Sequence, residues 1–347
     1  MKRISHKLII RIECILLLLL CIPFVYQGIA SANSTTEDYI KWVDFGVTSE
    51  AMQQAYELDV STYDQAVHLE WIPLLAYLGT KYGGDFSRFS SGDLQEIAED
   101  LTAQIETMET LTEDMKQYSY YEEAYTAVLG GLVGEYEIEV QKEEGSEETV
   151  WEERYGLKAF SPIAKGYEYF DSDDFGVSRS YGYKRRHLGH DMMGQVGTPV
   201  IAIESGYVEA IGWNQYGGWR LGIRSFDGKR YYYYAHLRKD FPYNKSLEEG
   251  SIVTAGDVIG YMGRTGYSAN ENVNNIETPH LHWGLQLIFD ESQKEGVNEI
   301  WVNCYELTRF LYQNRSVTEK NEETKEYYRI YEMKDPVTEG ANEASLY

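Results

Sequence analysis

Cysteine is nearly absent from this chain of 347 residues: Cys14 and Cys21 lie within the first 32 positions, and Cys304 is the third. If the first 32 residues are removed on export, one thiol remains, no internal disulfide can form, and stability must come from packing or from a metal. Basic charge is also in short supply, with 31 Lys and Arg against 56 Asp and Glu and a net charge of −25 at pH 7. Like charges repel and no basic patch offsets them, so neither nucleic acid nor an anionic membrane surface is an expected partner. The apolar N-terminal stretch is interrupted by Arg11 and Glu13, which leaves it short of the ~18 to 20 residues that a membrane-spanning helix needs. No segment has the G-x-x-x-x-G-K-[ST] form, so no nucleotide is expected either.

What is present is ample material for a core: 43% of residues are hydrophobic and Tyr alone fills 31 positions, a globular composition. The length suits two domains and a tail. Residues 1–32 read as a signal peptide, with Lys2, Arg3, His6 and Lys7, then apolar residues 15–25, then Ala30-Ser31-Ala32, so an exported protein beginning near Asn33 is expected. An uncleaved segment serving as a membrane tether is the alternative. Cys21 follows leucines where a lipidation site wants a small residue, so lipid attachment is not expected.

Residues 33–140 carry helical periodicity, as in Leu94, Ile97, Ala98, Leu101, Ile105, Met108 and Leu111, and predict an N-terminal α-helical bundle. Ser91 marks a helix start, and Gly83-Gly84 and Gly130-Gly131 mark turns. Residues 141–153 are polar and acidic, the composition of a linker or an exposed hairpin tip. Beyond them the rhythm becomes short apolar segments punctuated by glycine. Strands are expected at 199–203, 207–213, 221–225, 231–236, 258–262 and 280–287, making 154–315 an all-β domain. Residues 316–347 read as a charged, mobile tail with one docked Tyr-rich turn around 327–331.

Five of the seven histidines fall in the β-rich part: His187, His190, His236, His280 and His282. In a strand His280 and His282 share one face while Leu281 packs on the other. The run His187-Leu188-Gly189-His190-Asp191 adds an imidazole and a carboxylate. Such nitrogen and oxygen donors suit Zn²⁺, and a catalytic zinc takes three protein ligands and leaves a fourth position for water. His187, Asp191 and one histidine of the pair make that count. His236 and the remaining histidine are then available to move a proton or hold an oxyanion. His190 is given no role, and His68 reads as helix packing. Residues 231–234 (YYYY) read as a strand with alternate rings in and out, and Tyr181 and Tyr183 read as strand aromatics or oxyanion donors.

Together, R-x-H-x-G-x-D (Arg185 to Asp191), G-T-P-V (Gly197 to Val200), Y-A-H-L (Tyr234 to Leu237) and P-H-L-H (Pro279 to His282) resemble the lysostaphin/LytM zinc endopeptidases over roughly residues 161–289. The resemblance implies a multidomain protein whose second domain is LytM-like, with antiparallel sheets and a duplicated hybrid motif. It implies Zn²⁺ bound by His187, Asp191 and His282, with His236 and His280 as the catalytic pair. It further implies hydrolysis of peptidoglycan peptides, with a non-enzymatic module for envelope remodelling or sporulation as the competing expectation. Two departures stand out. A polar insertion at 269–278 precedes P-H-L-H and is expected beside the cleft, where it would alter substrate choice; and Trp283-Gly284 replaces the family's aromatic followed by glutamate.

Overall fold

The computed structural model describes residues 39–143, 145–181, 183–294, 296 and 298–344. The expected export signal at 1–32 and the start near Asn33 lie outside them, and the side chains of Tyr181 and Tyr183 are likewise not described. Lys41–Tyr347 fall into one compact unit.

Five helices come first: α1 (Ser49–Thr62), α2 (Trp71–Tyr82), α3 (Ser91–Thr102), α4 (Met108–Thr112) and α5 (Tyr118–Leu129). In α2 the apolar residues Trp71, Leu74, Leu75 and Leu78 recur at helical spacing, and all four are buried. Gly83 ends that helix in the left-handed conformation at φ 65°, the turn expected of Gly83-Gly84. The stripe read through Leu111 stops earlier. Leu94, Ile97 and Ala98 are buried, but α3 ends at Thr102 and Ile105, in the turn that follows, is 71% exposed, while Met108 and Leu111 of α4 are half-buried.

Strand follows helix sooner than expected. β1 (Val133–Gln141) and β2 (Thr149–Leu157) pair antiparallel from Val133↔Leu157 to Gln141↔Thr149. Of the two expectations for the acidic segment 141–153, linker or exposed hairpin tip, the structure has the second: it turns the hairpin and forms the first part of β2. Its neighbour explains why, since Tyr136 and Ile138 alternate with Glu135, Glu137 and Glu139 and pack on a cluster that includes Phe160 and Tyr261.

Eleven further strands precede the tail: β3 (Ser178–Tyr181), β4 (Tyr183–Arg186), β5 (His190–Met193), β6 (Pro199–Ile201), β7 (Gly206–Asn214), β8 (Gly218–Ser225), β9 (Arg230–Ala235), β10 (Ile252–Val253), β11 (Val258–Tyr261), β12 (His280–Leu287) and β13 (Ile300–Val302). Seven form one antiparallel sheet in the order β10-β7-β8-β9-β12-β13, with β5 also on β12. β-rich architecture with antiparallel sheets is thus as expected, with most helices placed before it. The region is not purely β, because α6 (Tyr305–Leu311) follows β13 and packs back on the first helices. The Phe310 ring lies 5.8 Å from Tyr56 and 5.6 Å from Trp71, and Glu306 accepts the Ser49 N–H at the start of α1 at 2.7 Å.

The expected mobile tail is instead docked, at least as far as residue 344. β14 (Thr318–Lys320) and β15 (Tyr327–Arg329) form a hairpin, β16 (Met333–Lys334) pairs with β1, and α7 (Pro336–Ala344) follows. Buried charges hold it where aliphatics are scarce. Arg329 donates to the Ala255 carbonyl at 2.8 Å, and Lys158 meets Asp335 at 2.8 Å, both pairs away from solvent.

One ionic knot ties helix to sheet. Arg230, 2% exposed, pairs with Glu204, 8% exposed, through Nε to Oε2 at 2.7 Å and Nη2 to Oε1 at 3.0 Å. Its Nη1 donates to the Ala127 carbonyl in the last turn of α5 at 3.0 Å, and Tyr232 donates to Glu204 at 2.7 Å. Removing one partner of such a pair leaves a buried charge without compensation. Glu204→Ala is expected to lower unfolding stability by about 3–5 kcal/mol, read from urea denaturation, with Glu204→Gln losing less.

Candidate metal centre and active-site cleft

β12 is the strand on which the candidate site is built. His282 lies opposite Asp191 of β5 on one side and Ala235 of β9 on the other. Leu281 is fully buried on the reverse face, so His280 and His282 share a face, as the strand period predicts. His187 enters from the segment between β4 and β5, and His236 is the residue after β9. His236 sits at φ 60°, a conformation that costs a non-glycine residue of order 1–3 kcal/mol and clusters at functional sites.

Three expected residues converge. His282 Nδ1 lies 2.8 Å from Asp191 Oδ1, and His187 Nε2 lies 3.0 Å from both Asp191 Oδ1 and His282 Nδ1. His187 Nδ1 lies 3.4 Å from the Asp174 backbone carbonyl, an acceptor only, and 3.0 Å from Asp174 Oδ1, which keeps the ring proton at Nδ1 and leaves Nε2 with its lone pair. The three converging atoms then have at most one proton among them, an arrangement that a cation completes. Two imidazole nitrogens and a carboxylate oxygen are zinc donors, and bonds of about 2.0–2.2 Å place tetrahedral ligand atoms about 3.3–3.6 Å apart, a few tenths of an ångström beyond the separations of 2.8–3.0 Å here. The residues fit Zn²⁺.

The electrostatics follow from burial and proximity. Burial alone would raise the Asp191 carboxyl, but hydrogen bonds with His187 and His282 hold it well below the usual carboxylate range. Burial would lower His187, yet Asp191 and Asp174 outweigh it and raise its pKa. His282 is pushed down by burial against the pull of Asp191. His236 is driven well below the ordinary imidazole value, by burial first and then by the neighbouring His280 and His282.

His236 and His280 stand beside this centre. Their rings are 4.8 Å apart, His236 is 5.8 Å from the His282 ring, and His280 Nε2 is 3.8 Å from Asp191 Oδ1. Each has Nδ1 against a backbone carbonyl, His236 to Thr265 at 2.9 Å and His280 to Thr278 at 2.8 Å. The Nε2 atoms are left without those protons.

The cleft has a volume of about 630 Å³ and continues from His187, Asp191, His236 and His282 along the sheet to Arg220 and Trp301. Tyr231, Tyr233 and Ala235 line it, whereas Tyr232 and Tyr234 turn to the opposite face, so the tyrosine run alternates as expected. Gly189 permits close approach: a Cβ there would lie 2.6 Å from the His282 ring. Gly284, at the position where a glutamate was expected, is explained by Trp301, whose ring would be 2.8 Å from any Cβ.

Other expected residues fall elsewhere. His190 points away, with Nε2 3.0 Å from Asp171, and takes no part in the cluster. His68 binds the buried Asp59 at 2.8 Å, a packing contact. None of residues 269–278 lines the cleft; Asn272 instead binds Trp219 and Asp240, and Asn275 donates to the Tyr267 carbonyl at 2.6 Å. The insertion thus reaches the site through Tyr267, which lines the cleft, and through Thr278, whose carbonyl accepts from His280 Nδ1 at 2.8 Å. Asp174, Arg179, Arg220 and Trp301 were not read from sequence, since each comes to the cleft only through the fold.

The sequence model described as peptidase family M23 matches residues 185–298. The L-Ala--D-Glu endopeptidase of Bacillus subtilis is 39% identical over 124 residues, 36% of this chain and 36% of that protein. Lysostaphin of Staphylococcus simulans is 41% identical over 98 residues, 28% of this chain and 17% of that one. The chain therefore spans about a third of the length of the first relative and about a sixth of the second. Among solved structures, lytM from Ruminococcus gnavus is 24% identical, covers 81% of this chain and 92% of its own, and superposes with a TM-score of 0.49. The matched segment, residues 185–298, contains His187, Asp191, His236, His280 and His282 together with the strands that align them, so the similarity to peptidase family M23 falls on the part of the chain that builds the site.

Proposed function

We propose that this protein is an exported, zinc-dependent endopeptidase that hydrolyses peptide bonds of bacterial cell-wall peptidoglycan. The observation that carries the reading is the convergence of His187, Asp191 and His282 beside His236 in one cleft, with His280 Nε2 3.8 Å from Asp191 Oδ1. The names of the similar proteins, an L-Ala--D-Glu endopeptidase and lysostaphin, support a peptide substrate.

In this reading His187 Nε2, His282 Nδ1 and Asp191 hold the metal, and Asp174 keeps the His187 ring oriented. Zinc bound there supplies a water acidified to a pKa of about 7 and polarises the scissile carbonyl. His236, kept neutral by burial, has Nε2 free to accept a proton. His280, with Nδ1 fixed on Thr278, presents Nε2 to the same space and can donate to the oxyanion once protonated. The walls of the cleft, including Tyr233 and Tyr267, keep the peptide against these groups.

The purified protein should carry about one zinc, and chelation should abolish release of peptidoglycan fragments, with activity restored by added zinc. His236→Ala and His280→Ala should each keep the metal while lowering kcat by about 10²- to 10⁴-fold. A protein that folds, holds zinc and leaves peptidoglycan intact would overturn hydrolysis and favour a binding role. Gly189→Ala should displace the His282 ring and reduce zinc content, measured by metal analysis, while the circular dichroism spectrum is retained. Export predicts a mature chain beginning near Asn33, to be read by mass spectrometry of protein recovered outside the cell; a chain retaining residues 1–32 would point to the tether.

A further inference from the structure

The chain is strongly acidic, yet the cleft is lined by five cationic side chains: Arg179, Arg185, Arg186, Arg220 and Lys294. Three acids line it as well; each has a partner, although Glu209 Oε2 is buried without one among the described residues. Asp191 belongs to the metal centre, Glu209 is paired with Lys294, and Glu299 accepts from the Trp301 indole at 2.7 Å. On the cationic side the positions differ. Arg179 is paired with Asp174 and Asp191, and Arg185 lies against the Tyr216 and Tyr267 rings, 5.4 and 4.8 Å from their centres. Arg220 is set apart from these: its Nε is buried and, among the described residues, has no hydrogen-bond partner.

A guanidinium N–H withdrawn from water and left without an acceptor is costly, and a ligand oxygen placed on it recovers that cost. The site is built to receive a ligand there. Tyr233 runs from the metal centre, its ring 6.0 Å from His282, to the start of β8, where a Cβ on Gly217 would lie 2.2 Å from its hydroxyl. Gly222 plays the same part for Tyr231, whose hydroxyl would be 2.0 Å from a Cβ at that position. Two glycines on β8 and its approach thus let two tyrosine rings lie on the sheet as a floor, with Arg220 on the strand between them. A peptide laid along this floor from the metal centre brings a neighbouring residue to Arg220.

We propose that the cleft selects peptides bearing a free carboxylate close to the scissile bond, and that Arg220 receives this carboxylate and sets the specificity. The proposal rests on the peptidase reading of the same cleft. It predicts that an acidic stem-type peptide is preferred over an uncharged glycine peptide.

The test uses the full zinc-loaded chain and a matched pair of peptides, L-Ala-γ-D-Glu-L-Lys-D-Ala with the glutamate α-carboxyl either free or converted to the carboxamide, together with pentaglycine. The free acid should be cleaved with a kcat/KM about ten- to a hundredfold higher than the amide, the range expected of a charge-assisted hydrogen bond, with most of the difference in KM. Arg220→Gln should bring that ratio to about one, and Arg220→Lys should restore part of it, which a merely structural role would not do. Equal rates on acid and amide, a preference that survives Arg220→Gln, or faster cleavage of pentaglycine would each overturn the assignment. Calorimetric titration of both tetrapeptides with the same protein separates the two readings. If neither peptide is cut, hydrolysis fails, while tighter binding of the free acid that is lost in Arg220→Gln still upholds Arg220 and equal binding rejects it.

Discussion

The register of β12 is the constraint on which the rest of the site depends. His282 is flanked by Asp191 across one ladder and by Ala235, next to His236, across the other. A slip of one residue would turn every side chain of the strand to the opposite face and take both histidines out of the cleft. The reverse face prevents it. Leu281, Trp283, Leu285 and Leu287 are fully buried there, and each contributes about 1.5–3 kcal/mol by leaving water. Apolar packing that takes no part in chemistry therefore fixes the alignment of the polar groups that would.

The same alternation is used in β9, one strand away. Tyr231 and Tyr233 form the floor of the cleft, while Arg230, Tyr232 and Tyr234 reach through the back of the sheet to Glu204, to the end of α5 and to the Ile203 backbone. The helices before β1 are thus attached directly to the strand that shapes the cleft. α6 reinforces the attachment from the other end of the chain, through Phe310 against Tyr56 and Trp71. This is why Lys41–Tyr347 form one compact unit, although the composition changes sharply near residue 150.

Much of this was legible in the sequence, and the limits have physical causes. Strand period and glycine punctuation located β7, β8, β9, β11 and β12 to within a few residues, because one-sided burial leaves a strong local signature. The histidines and Asp191 were legible for the same reason, since their spacing is set within single strands and turns. The hairpin tip at 141–153 is legible in its polar, acidic composition, but its first strand, Val133–Gln141, falls within the stretch that reads as helical, because an outward face of glutamates masks the alternation of Tyr136 and Ile138. The tail was misjudged because Arg329, Lys158 and Asp335 anchor it, and buried ion pairs formed across 177 residues leave no local pattern. Asp174 belongs to this class too, since it matters through His187, 13 residues away.

Charge on the cleft floor follows from the same burial. Both Tyr231 and Tyr233 have pKa values raised by loss of solvent, Tyr231 to about 12, despite the opposing pull of Arg220. Their hydroxyls therefore stay neutral across the pH range in which a histidine pair could work, and they donate or accept hydrogen bonds without adding negative charge. The arginines then set the sign of the cleft. A floor of neutral phenols beside Arg220 leaves no tyrosinate to compete for the cation, and β9 achieves this only because glycines at 217 and 222 leave room for the rings to lie on the sheet.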